Sequence, residues 1–145
     1  MTTLLELKDK VQRYLTEIFR VEVDNDGDFV IRGESAAVWV RCMVLENAKD
    51  QPTLVKVFTR ILTEVTPTPE LFEYVATSAD DYTFGHLSLV KQDGGTYGIW
   101  MTQRLLGDYL DAEEIRWAVR AILVTADKLD DDLKARFGGR RLIED

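Results

Sequence analysis

The sequence predicts an α+β fold with the order α-ββββ-α-ββ-α, a mainly antiparallel sheet flanked by N- and C-terminal helices. Three observations carry this prediction. Apolar residues recur at three- and four-residue spacing at both ends of the chain, the period of a helix. Between the ends the period falls to two and is punctuated by turn formers, as in hairpins. No linker or internal repeat divides the 145 residues, a length suited to one core, so residues 1–145 are read as one domain.

The first helix is expected over residues 3–20, from the stripe Leu4, Leu7, Val11, Leu15 and Ile18, with Thr2 or Thr3 as its cap. Val21–Val23 and Phe29–Arg32 flank the turn-rich Asp24-Asn25-Asp26-Gly27-Asp28 and read as a hairpin. Residues 37–45 are nearly all apolar, as a central strand is. Residues 54–62 are rich in β-branched side chains and form the next strand. Thr68 followed by Pro69 starts a short helix, with threonine as cap and proline in the first turn. Residues 85–91 and 96–104 form a second hairpin around Asp93-Gly94-Gly95, and residues 105–110 read as a loop. The last helix opens at Asp111, with Glu114 three residues on, and Gly138 ends it.

Composition narrows the function. There are 18 Lys+Arg against 26 Asp+Glu, a net charge of -8, which argues against nucleic acid and anionic membrane surfaces as partners. One cysteine, Cys42, and one histidine, His86, exclude a disulfide framework and multi-histidine metal sites. Charge enters by Glu6, and no apolar run approaches the ~20 residues of a membrane span. The expected address is cytoplasmic.

Few residues suggest chemistry. The Asp24–Asp28 turn resembles a fragment of a calcium loop but lacks the closing glutamate, so it reads as a plain turn and no metal is expected. Cys42 reads as a small hydrophobe in its strand. His86 has Ser88 on its strand face and no orienting carboxylate by spacing; a small hydrolase using His86 is the weakest reading. Asp130-Asp131-Asp132 reads as a solvated helix face. No catalytic residue and no cofactor are assigned.

The strand pattern is more informative. Alternation places Val38, Val40, Cys42 and Val44 with Val55, Val57 and Ile61 on one face. The other shows Trp39, Arg41, Met43 and Leu45 beside Lys56, Phe58, Arg60 and Leu62, joined by Trp100 and Arg104. Aromatics interleaved with cations suit a peptide or protein partner with acidic groups. Trp39, Arg41, Phe58, Arg60 and Trp100 are therefore the expected partner-binding residues. Cover by the short helix or a second copy, and stacking of nucleic-acid bases, are the competing readings. If Phe58 is an exposed anchor, Phe58→Ala weakens capture and spares the fold; if it is core, the change costs about 3–5 kcal/mol. A second apolar strip on the last helix, Trp117, Ala121 and Val124, reads as a homodimer interface or as packing under the first helix.

Several segments carry a family likeness. Thr68-Pro69-Glu70-Leu71-Phe72-Glu73-Tyr74-Val75, Phe84-Gly85-His86-Leu87, residues 105–114, residues 125–133 and Arg136-Phe137-Gly138-Gly139 together resemble the actinobacterial YbjN-like family, over roughly residues 4–139. That family is similar in fold to type III secretion chaperones of the CesT/Tir type. The resemblance implies a small, acidic, non-enzymatic protein that dimerises and holds extended peptide segments on apolar surface. The expected function is thus a chaperone-like peptide-binding module. A self-associating regulatory or structural domain without a client is the alternative.

Overall fold

The computed structural model describes residues 2–143. Helix α1 spans Leu4–Thr16 and buries Leu7, Val11 and Leu15. The Thr3 side chain accepts from the Glu6 amide while Glu6 reaches back to the Thr3 amide, a reciprocal cap. The helix stops short of Ile18, which is exposed. Strands β1 (Glu22–Val23), β2 (Phe29–Arg32), β3 (Ala37–Val44) and β4 (Thr53–Val65) follow. Helix α2 (Pro69–Thr77) starts under a Thr68 cap, and β5 (His86–Lys91), β6 (Tyr97–Leu106) and α3 (Ala112–Phe137) complete the chain. Asp111 caps α3 by accepting from the Glu114 amide at 2.8 Å.

All pairings are antiparallel and the strand order is β1-β2-β3-β4-β6-β5. The element order matches the sequence reading. Leu105 and Leu106, read as loop, instead extend β6 and pair with Val55 and Leu54.

Both long helices lie on the same side of the sheet. Val38, Val40, Val55, Val57, Ile99 and Met101 point to that side and join Leu7, Leu15, Ile115, Val119 and Ile122 in one core. Compact branched residues let α1 and α3 approach the sheet closely. The short helix α2 joins them there. It buries Leu71 in the same core, sets Tyr74 5.4 Å from Phe137 of α3, and pairs Glu70 with Arg136. It does not cover the opposite face, so cover of that face by the short helix is set aside.

A register shift between Arg60 and Leu62 alters the alternation in β4. Leu62 pairs with Ile99 and is fully buried in the helix-side core. The strict period of two had placed it with Phe58 and Arg60.

The C-terminal segment returns to the sheet. Gly138 and Gly139 adopt φ of +76° and +86°, a region that glycine enters without strain. Arg140 then bridges Thr63, each amide donating to the other's carbonyl at 2.8 and 2.9 Å. A Cβ on Gly139 would lie 2.6 Å from the Thr63 carbonyl oxygen, so this close approach requires glycine. No helix among the described residues is long and apolar enough to cross a membrane.

Candidate functional site

The face of the sheet turned away from the helices has an unusual build. Register puts Trp39 opposite Phe58 and Arg60 opposite Trp100. The rings stack across three strands: Trp39 to Phe58 at 6.0 Å, Phe58 to Trp100 at 5.8 Å, with interplanar angles of 20° and 10°. Such pairs are worth about 0.5–1.5 kcal/mol beyond area burial. Cations lie over them. Lys56 Nζ sits 4.7 Å from the Phe58 ring centre, and Arg41 Cζ 5.3 Å. Arg60 Cζ lies between the two indoles, 5.0 Å from Trp39 and 5.1 Å from Trp100.

This packing changes the role expected of Phe58. It is only 1% exposed, enclosed by two tryptophans and the cationic stems rather than by a helix. Phe58 is therefore the keel of the stack. Of the two readings of Phe58, its burial favours the core one, and the reachable aromatic surface belongs to the half-buried Trp39 and Trp100. Trp100 Nε1 is a buried donor without an acceptor among the described residues, a cost the stack has to offset.

The face is strongly cationic although the chain is acidic. Across β3, β4 and β6 it carries Arg41, Lys56, Arg60 and Arg104, while Glu64, further along β4, pairs with Arg140 at 3.8 Å. Asp28, from the start of β2, grips Arg41 with both oxygens, at 2.7–3.2 Å. The Lys56 ammonium is held below the usual lysine range, first by burial and then by Arg104 and Arg41. One edge of the face is apolar, with Met43 opposite Leu54 and Leu54 opposite Leu106. At the other edge a cavity of about 240 Å³ lies between Arg60, Thr63 and the returning Arg140–Leu142.

The remaining candidates are placed as follows. Trp117, Ala121 and Val124 line an open groove of about 470 Å³ on the flank of α3, bordered by Tyr82 and Phe84. Trp117 is 52% exposed and Val124 45%, so α1 does not pack over this strip. Asp24, Asp26 and Asp28 bring ligand atoms within 4.8 Å of one another. Arg41 donates to Asp28, and the amides of Asp26 and Asp28 donate to Asp24, so the chain's own donors engage two of the three carboxylates. His86 is exposed, and among the described residues it has no hydrogen bond or ion pair. Asp131 and Asp132 are solvated as read, but Asp130 is buried at 1% exposure. Ser35 Oγ lies 2.5 Å from its Oδ2.

Cys42 sits on the helix side of β3, half-buried, with its thiol pushed up to about 11, mainly by burial. It is protonated at neutral pH and a poor nucleophile. A thiol-disulfide reagent at pH 8 is expected to label the folded protein at least about tenfold more slowly than the urea-unfolded chain; equal rates would contradict this placement.

The class of protein is thus a helix-backed antiparallel α+β fold with an aromatic, cationic open face. The chain belongs to the TY-Chap1 family, the T3SS (YopN, CesT) and YbjN peptide-binding chaperone 1 family, whose model matches residues 6–145. The family is one of chaperone-like peptide binders, not of enzymes. Among solved structures the chain is similar to the crystal structure of YbjN from E. coli, a candidate transcription regulator. The two are 14% identical, with a TM-score of 0.62 over 94% of this chain and 96% of that one; the likeness is one of fold. No curated protein sequence matches the chain.

Proposed function

We propose that the chain is a non-enzymatic, chaperone-like module that holds an acidic, extended client segment on the sheet face of Trp39, Arg41, Phe58, Arg60 and Trp100. One observation supports this most: Arg41, Lys56 and Arg60 lie over an aromatic stack with Arg104 beside them, and burial, then Arg104 and Arg41, hold the Lys56 ammonium below its ordinary range, in a protein of net charge -8. Such a face repels itself and is relieved by an anionic partner. The aromatics supply contact area and the cations supply register and sign. This reading involves no cofactor, metal, nucleic acid or membrane, and the expected place of action is the cytoplasm. The test is titration of a fluorescein-labelled leucine/glutamate peptide into the full chain. Arg60→Glu with Arg104→Glu should weaken binding by about tenfold or more. Equal binding by the variant, or tighter binding of a leucine/lysine peptide, would refute it.

A second reading concerns assembly. On α3, Glu114, Trp117, Ala121, Val124 and Lys128 fall on one helical face. Two copies laid antiparallel about Ala121 bring Trp117 onto the partner's Val124 and Glu114 toward the partner's Lys128. The small residue at the axis lets the helices approach, and the surface is self-complementary, as a two-fold interface must be. Light scattering should therefore give twice the 16.6 kDa chain mass, and Trp117→Asp should give a folded monomer. A wild-type monomer at high concentration would overturn the dimer. If the protein is a dimer and the peptide titration fails, self-association without a client is the alternative function.

A further inference from the structure

The strand register arranges the open face in rows. Across β3, β4 and β6 the first row is Met43, Leu54 and Leu106. The next is Arg41, Lys56 and Arg104, and the third is Trp39, Phe58 and Thr102. The last holds Arg60 beside Trp100. Along the strands the chemistry thus runs apolar, cationic, aromatic, cationic. Successive rows are two residues apart, roughly 6.6–6.8 Å.

An extended peptide has the same spacing between its alternate side chains. Laid along β4, it presents every second residue to successive rows. We propose that this face reads its client in register: the sheet-facing residues of the client are apolar, acidic, apolar, acidic at positions one, three, five and seven. The first apolar residue meets the Met43/Leu54/Leu106 row. The first acidic residue meets Arg41, Lys56 and Arg104, where anion binding relieves the repulsion around Lys56. The second apolar residue lies on the half-buried indoles, and the second acidic residue meets Arg60. The inference rests on the function proposed above and adds to it the client's pattern. A client crossing the strands instead would run along the single row Arg41-Lys56-Arg104 and favour acidic residues at successive sheet-facing positions, two residues apart.

Two fluorescein-labelled peptides of about nine residues and identical composition separate these cases. One repeats leucine, serine, glutamate, serine; the other gathers its glutamates into one block of successive sheet-facing positions, with serine between them. The full chain should bind the patterned peptide about tenfold more tightly or better. Leu54→Lys converts the apolar row to a cationic one and should move the preference to a peptide with glutamate at position one. If both peptides bind alike while Arg60→Glu with Arg104→Glu still weakens them, the register is wrong and the acidic-client reading stands. Tighter binding of the block peptide overturns the register in favour of the crossing mode. If neither peptide binds, both the register and the function it rests on fall. Should Leu54→Lys fail to fold, judged by its thermal melt, the wild-type comparison decides alone.

Discussion

Phe58→Ala is expected to lower stability by about 3–5 kcal/mol, the range for truncating a fully buried aromatic. Phe58 is 1% exposed and stacks on Trp39 and Trp100. Removing it opens a cavity between two indoles and strips Lys56 and Arg41 of the ring beneath them. The neighbours on β3 and β6 are fixed by the ladder, so collapse into the gap is limited. Urea denaturation should show the loss as a shifted midpoint with an unchanged slope. A loss below about 1 kcal/mol would mean that the face rearranges freely and that Phe58 is not its keel. Peptide capture should also fall in this variant, because the tryptophans lose the spacer that sets them apart.

The second large effect lies at the turn between β2 and β3. Asp127, on α3, accepts the backbone amides of Glu34, Ser35 and Ala36 at 2.8–3.2 Å. One carboxylate thus satisfies three donors of a turn some ninety residues away in sequence and ties the hairpin to the helix. A Cβ at Gly33 would meet an Asp127 oxygen at 2.4 Å and Leu123 at 2.8 Å, which is why glycine stands there. Asp127→Ala leaves those donors without a partner and should cost about 2–4 kcal/mol. Asp127→Asn keeps one acceptor oxygen but presents an NH₂ group to the remaining amides, so it should recover only part of the loss. Thermal melts of the two variants check this. An Asp127→Ala protein as stable as wild type would show that solvent replaces the carboxylate without penalty.

Element order was legible because it is written locally. Thr3 (one of two candidates with Thr2), Thr68 before Pro69, and Asp111 with Glu114 mark the three helix starts, and Thr3, Thr68 and Asp111 act as caps in the structure. Alternation through β3 assigned its two faces correctly and gathered Trp39, Arg41, Phe58, Arg60 and Trp100 on one side. Features that depend on distant partners left no local mark. Phe58 has the alternation of an exposed residue, and its burial comes from Trp39 and Trp100, which only the pairing register sets beside it. Leu62 changes face at an irregularity that strict alternation cannot show. Asp130 and Asp127 look like neighbours in an acidic, solvated run, yet the first is buried against Ser35 and the second holds a turn. Gly33, read only as a turn former, also marks the close approach of Asp127, and Gly139 that of Thr63.

The three tryptophans allow a direct test of the proposed client site. Trp39 and Trp100 lie on the open face; Trp117 lies across the molecule on α3. Each indole N–H gives its own resonance in a ¹⁵N–¹H correlation spectrum. On titration with the patterned leucine/glutamate peptide, the Trp39 and Trp100 signals should shift together and saturate, while Trp117 stays in place. A shift of Trp117 alone would put the client on the α3 groove and contradict the account.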